Sequence, residues 1–208
     1  MKQHYILGLI LLLFVTSCSK DYFIADQFKQ KTAHHQTIAI LPFEVVTTGN
    51  LPEDLSDEDL RNIQNAESRA FQISLFNEVL NSTQSGSKPL RVDVQSADLT
   101  HSLLSEGIMD YSEINQRDPE LLASMLDVDA VVMSRVEKTR YMSDLASFGI
   151  QLGTRIIELF GGNARGLFYD GKTEDIKLST QLIEPNNGTV LWTFNHTGSA
   201  DYSIPSTD

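Results

Sequence analysis

Ile6 to Val15 is an apolar run broken only by Gly8, and Cys18 follows it as the only cysteine in the chain. This run divides the chain before any folding pattern is considered. Lys2 and His4 give it a weakly polar head, and Val15-Thr16-Ser17 bring it to a small-residue end. A positive head, a short apolar middle and a small-residue cleavage site are the parts of a secretory signal. As a helix the run spans about 15 Å, roughly half of a bilayer core. It is too short for a stable membrane anchor, so residues 1–17 read as a removable signal peptide.

Val15-Thr16-Ser17-Cys18 resembles the lipobox of bacterial lipoproteins, an aliphatic residue and two small ones before an obligatory cysteine. Leu is commoner than Val at the first of those positions. The resemblance implies that Cys18 becomes the acylated first residue of the mature chain. Acyl chains contribute about 0.8 kcal/mol for each buried methylene, so two or three of them hold a protein to a bilayer without a transmembrane helix. Lipoprotein sorting commonly retains a protein in the inner membrane when Asp follows the cysteine. Here Ser19 follows, which by that resemblance implies the outer membrane; the domain is expected to face the periplasm, with Lys20-Asp21 leaving surface export as the alternative.

Cleavage leaves 191 of 208 residues, enough to bury roughly 70% of the unfolded surface in one domain without staples. Residues 18–36 are polar apart from the Tyr22-Phe23-Ile24 cluster and read as a tether between lipid and fold. Losing Lys2 with the leader leaves 15 basic against 28 acidic residues, a net charge of −13. A surface of that sign repels nucleic acid and anionic lipid, which excludes nucleic-acid binding.

From Thr37 to Val46 the chain is densely apolar and reads as a buried strand, ended or bulged at Pro42, which cannot donate to a ladder. Ser56, with Asp59 three residues on, starts a helix running to about Leu80, whose Leu60, Ile63, Ala70, Phe71, Leu75 and Val79 share one side. Leu90 to Gln95 alternates like a half-exposed strand, and 98–106 reads as a short helix stopped by Gly107. Asp118-Pro119 opens another helix to Leu126, and Val128 to Val136 follows as a core strand. Residues 144–160 carry Leu145, Phe148, Leu152, Ile156, Leu159 and Phe160 at spacings of 3 and 4, the pattern of an amphipathic helix. A hairpin closes the fold, 174–184 and 189–196 about the turn Pro185-Asn-Asn-Gly188, with a polar tail from Ser199. Early strands separated by helices call for parallel pairing, and the hairpin is antiparallel. The expectation is one α/β domain over 37–198, with a mixed parallel/antiparallel sheet and flanking helices, followed by a tail over 199–208.

Ile38 to Phe43, the long helix, Leu126 to Val136 and the closing strand Asn187 to Phe194 together resemble a group of envelope lipoproteins. The group includes the curli secretion lipoprotein CsgG and the penicillin-binding-protein activator LpoB. The resemblance covers most of 37–198 and implies an anticodon-binding-domain-like fold, similar to the N-terminal domain of TolB. Its motifs are core strands and a turn, and no catalytic residue comes with them. The curli secretion pore inserts long alternating hairpins in this fold. The comparable interval here, about 142–172, reads as the amphipathic helix and a glycine-rich loop, with no strands of the 9–11 residues that a membrane barrel uses.

The candidate sites are few. His34-His35 lies in the tether, and His101 and His196 sit on different elements, so all read as solvent-exposed structural residues rather than metal ligands. Glu53, Asp54, Asp57, Glu58 and Asp59 lack the alternating spacing and the glycine of a calcium loop and read as a solvated helix start. No phosphate loop or nucleophile elbow is present, and neither a metal nor a cofactor is expected. What remains is Cys18 as the lipidation site and the 145–160 apolar positions as a docking face for an envelope protein or a second copy. The functional expectation is a non-enzymatic binding or assembly module. The alternatives are an accessory or pore-forming part of an outer-membrane secretion system, and a hydrolase of cell-wall or glycan substrates.

Overall fold

The computed structural model describes residues 21–85, 91–107, 111–141 and 172–201. Tyr22–Ile24 form β1, followed by one helical turn at Phe28–Lys31. Thr37–Ile40 form β2 and Glu44–Gly49 form β3, ahead of the long helix α1 at Asp57–Ser85. Asp93–Val94 form β4, and Ala97–Ser105 form α2. A 3-10 turn at Tyr111–Gln116 leads to α3 at Pro119–Leu126 and then to β5 at Ala130–Arg140. The hairpin of β6, Lys172–Glu184, and β7, Thr189–Asp201, completes the sheet.

The sheet has seven strands in the order β1-β7-β6-β5-β2-β4, with β3 also on β5. Pairing is parallel among β2, β3, β4 and β5, and antiparallel through β5, β6, β7 and β1. This is the mixed-sheet α/β architecture expected from the order of patterns. The helices of the crossovers pack on opposite faces. Phe71 of α1 joins Ile40, Val45, Val132, Val136 and Leu178 on one face; Leu104, Ile114, Leu122 and Leu126 join Ala39, Leu41, Val131 and Met133 on the other.

The break at Pro42 is where β2 passes into β3. Ile40 pairs with Val132 and Glu44 with Arg135, so three residues here oppose two on β5. That extra residue is a bulge, and it turns Val45 to the face of Val132 and Val136. Pro42 has no N–H to lose. The Phe43 N–H instead reaches the Ser68 carbonyl of α1 at 3.4 Å, and Gln72 Nε2 donates to the Ile40 carbonyl at 2.7 Å. The bulge therefore docks onto the helix.

Four features differ from the sequence reading. The helix from Ser56 runs five residues past Leu80, to Ser85, and its buried side carries Glu67, Ser68 and Gln72 beside Phe71. Of the described residues Arg91 to Gln95, only Asp93–Val94 is a strand. Thr189 onward is a strand through Asp201, beyond the start assigned to the polar tail, because β6 pairs with it as far as Lys172. Finally, the assigned tether contains β1, held on β7 by hydrogen bonds from Ala25 N to Leu191 O, 3.0 Å, and from Asn195 N to Asp21 O, 2.7 Å. The Tyr22-Phe23-Ile24 cluster supplies the β-prone residues for this edge.

Local chemistry explains the element ends. Asp59 N donates to Ser56 Oγ at 3.1 Å, and Glu120 N to Asp118 Oδ1 at 2.9 Å, capping α1 and α3. Asp129 Oδ2 accepts from the Gln36 and Thr37 N–H groups at 2.7 and 2.9 Å, fixing the start of β2 against β5. Those two N–H groups hold the Asp129 carboxyl below its ordinary value, with His35 adding to the effect and burial opposing it. At the far end of β3, Gly49 has φ +91°, and a Cβ there would lie 2.2 Å from the Arg140 carbonyl oxygen.

Candidate functional site

On the sheet face carrying α2 and α3, the apolar cover stops partway along β5. Beyond Met133 the same side of the strand presents Arg135 and Glu137, and its neighbours present Glu44, Gln181 and Ser179. The 3-10 turn and the start of α3 wall this area with Asn115, Gln116, Arg117 and Pro119. The result is an open cleft of about 350 Å³ with a floor of β5 and β6. A second depression of about 250 Å³ continues along the face past Arg135 to Asn195 and Thr197.

Arg135 is the centre of this strip. Its Nη1 is 2.5 Å from Glu44 Oε1 and its Nε is 2.9 Å from Glu137 Oε1. Burial opposes the guanidinium charge, but the hydrogen bonds and charges of Glu137 and Glu44 outweigh it and keep Arg135 protonated. Asn115 Nδ2 donates to the Ser134 carbonyl at 3.1 Å, fixing the wall to the floor. Chemically the cleft offers N–H and hydroxyl donors suited to carboxylate or amide groups of a ligand. Among its described lining residues no hydroxyl is bonded to a base. Ser179 is the only hydroxyl among the described lining residues, no His or Lys lies among them, and Glu44 is committed to Arg135.

The opposite face carries a different feature. Under α1, Lys138 of β5 donates to both carboxylate oxygens of Glu67, and both residues are buried. Burial raises the Glu67 carboxyl above its ordinary value; Lys138 and Arg140 counter this, and Glu174 reinforces it. At the other edge of the same face, Trp192, Phe194 and His196 form a stacked row along β7, with successive ring centroids 6.3 Å apart. Tyr22 lies opposite Phe194 and Ile24 opposite Trp192, so β1 extends the row sideways. Tyr22, Phe23 and Ile24 are 50%, 53% and 51% exposed.

Two of the sequence-derived sites, Cys18 and the positions Leu145, Phe148, Leu152, Ile156, Leu159 and Phe160, lie outside the described residues. The chain leaves β5 at Arg140 and re-enters at Lys172 on β6, neighbouring strands at one end of the sheet. The carboxylates of 53–59 are exposed, with Asp57, Glu58 and Asp59 in the first turn of α1, as a solvated helix start requires. The histidines depart from the exposed reading at three positions, the first being His35, which is half-buried. His101 is half-buried and its Nδ1 is bonded to the Tyr111 hydroxyl, and burial, reinforced by Arg69 and opposed by Asp98, lowers its pKa. His196 is half-buried in the aromatic row. Among the described residues no group of three or more His, Cys, Asp or Glu side chains is placed to hold a metal ion. The sequence reading missed the cleft because its residues come from β3, the 3-10 turn, β5 and β6. The alternation of Arg135, Glu137 and Ser179, Gln181 was its only signal.

No protein-family model matches the chain, and no curated protein matches it in sequence. Among solved structures it is similar to the lipoprotein GNA1162 from Neisseria meningitidis, with a TM-score of 0.43 and 13% identity, covering 82% of this chain and 88% of that one. The NMR structure of E. coli LpoB has a TM-score of 0.40 and 12% identity, covering 84% of this chain and 64% of that one. A PelC dodecamer from Paraburkholderia phytofirmans has a TM-score of 0.34 and 12% identity, covering 80% and 74%. Likenesses this distant assign no ligand, partner or activity to the chain.

Proposed function

We propose that this chain is a lipid-anchored bacterial envelope lipoprotein whose domain acts as a non-enzymatic binding or assembly module. The run Val15-Thr16-Ser17-Cys18, which closes the ten-residue apolar segment Ile6 to Val15, carries the reading. Cys18 as the sole cysteine supports it, since acylation would leave no thiol in the mature chain. Ser19 in place of Asp favours the outer membrane, and the periplasm is the side that the domain would face. The docking face is assigned to Leu145, Phe148, Leu152, Ile156, Leu159 and Phe160, with an envelope protein or a second copy as the partner.

The cleft favours binding over hydrolysis. A pair of carboxylates working on a glycosidic bond needs one of them protonated and both free to reach the substrate. Glu44 and Glu137 are instead both ion-paired to Arg135, so neither is free to reach a substrate. The secretion reading stands as an outcome of the following test. The lipidated protein is crosslinked in its native envelope, recovered and analysed by mass spectrometry. One dominant envelope protein is the expected product. Self-crosslinked rings alone would shift the function to a secretion pore, and specific turnover of a cell-wall substrate by the purified domain would overturn the non-enzymatic reading.

A further inference from the structure

The β1 edge is an unusual place to leave three large apolar side chains. Edge strands of soluble domains are commonly short, charged or covered, because their free N–H and C=O groups invite pairing. Tyr22 and Ile24 lie on the face of the Trp192-Phe194-His196 row, and Phe23 lies on the other, so the edge is apolar on both sides. A flat protein partner covers one side of a strand; a medium that surrounds the edge covers both. The edge is also fixed in place. Besides the hydrogen bonds at Ala25 and Asn195, Lys31 is ion-paired with Glu184 at the hairpin turn.

The distance to Cys18 identifies the medium. Cys18 is four residues before Tyr22, which as extended chain reaches at most about 14 Å. With Cys18 acylated, β1 is held within that distance of the bilayer surface. Trp and Tyr are the side chains that settle at a membrane–water interface, with an apolar ring and a polar handle. The outer backbone of β1, which pairs with no other strand among the described residues, sets the depth, because bare N–H and C=O groups tolerate hydrated headgroups and not hydrocarbon. The net charge of −13 favours zwitterionic over anionic headgroups.

We propose that Tyr22, Phe23 and Ile24, with Trp192 and Phe194 behind them, form a shallow docking edge that rests on a zwitterionic lipid surface and fixes the domain's orientation on its membrane. The inference rests on the lipid-anchor reading, and the test separates the two. Trp192 is the only tryptophan in the chain, so its emission reports on this edge alone. The acylated protein is reconstituted in phosphatidylcholine vesicles containing lipids brominated at defined depths. The expected result is a roughly twofold quenching of Trp192, stronger from bromines near the acyl carbonyl than from those near the chain end. Replacing Tyr22, Phe23 and Ile24 together by Ser should abolish most of the quenching while the protein still floats with the vesicles.

Vesicle-bound, acylated protein with unquenched Trp192 would overturn the docking edge and leave the anchor intact. Trp192 emission that shifts with protein concentration and ignores brominated lipid would assign the edge to a second copy and overturn it equally. If Cys18 proves unmodified in cells, the mature chain coupled to a maleimide lipid through that sole thiol gives the same reading. Quenching there would keep the lipid-binding edge and remove the anchor, and its absence would remove both.

Discussion

The middle and the rim of this one sheet are built by different rules. β5 lies between β6 and the β2–β3 pair, bonded along its length, and α1 covers one of its faces. Even Lys138, one of its charged residues, is buried and matched by Glu67. β1 has three residues, one neighbouring strand among the described residues and half-exposed apolar side chains on both faces. The contrast separates two roles that a strand can have. Stability resides in β5, where removing a partner leaves a charge or a cavity, and the proposed interaction resides at β1, where side chains contribute little to the fold.

The largest break in that contrast comes from Lys138→Met. Glu67 would remain as an uncompensated buried carboxylate, and denaturant unfolding should show a loss of about 3–5 kcal/mol at neutral pH. The folded Glu67 carboxyl titrates above its unfolded value, so its contribution is fully present in acid and is lost as pH rises through the raised value. The deficit of the variant should therefore shrink toward acid pH. A deficit that is small and independent of pH would show that the pair is not buried as described.

Gly49→Ala should cost about 1–3 kcal/mol, since φ +91° and the Arg140 carbonyl both exclude a Cβ. Its effect belongs where β3 and β5 end together, and thermal unfolding measures it. Asp129→Ala should cost about 1–2 kcal/mol, because two N–H groups at the β2 start lose their acceptor. Here the sign is opposite to that of Glu67. The depressed carboxyl stabilises the fold above its unfolded value, and that contribution is lost as pH falls through the folded value. Wild type and variant should thus converge in strong acid. The smallest effect belongs to β1. Tyr22→Ser or Phe23→Ser should change unfolding free energy by no more than about 0.5 kcal/mol each in solution, and a loss comparable to that of Lys138→Met would erase the distinction between rim and middle.

The parts of the fold that announce themselves in the sequence are those with a period or a cap. The 174–184 and 189–196 runs about Asn187-Gly188, the Asp118-Pro119 start and the bulge at Pro42 all follow from local chemistry. Glu67, Ser68 and Gln72 do not, because polar residues in a helix read as its wet side until their partners are known. Those partners are Lys138 and the Ile40 carbonyl for Glu67 and Gln72, and the Phe43 N–H for the Ser68 backbone. β1 was hidden for another reason. Three residues carry no periodicity, and only pairing with Thr193 and its neighbours on β7 makes Phe23 and its flanks a strand. The cleft around Arg135 shares that difficulty, being assembled from segments far apart in the chain.

The proposed acylation of Cys18 decides how the rim is to be understood, since it would set how far β1 can be from a bilayer. The most direct measurement is the mass of the mature N-terminal peptide from protein extracted from the native membrane. The account predicts that residues 1–17 are absent and that Cys18 is the first residue, carrying a diacylglycerol thioether and an acylated amine. An N-terminus at another residue, or a Cys18 with a free thiol, would contradict it.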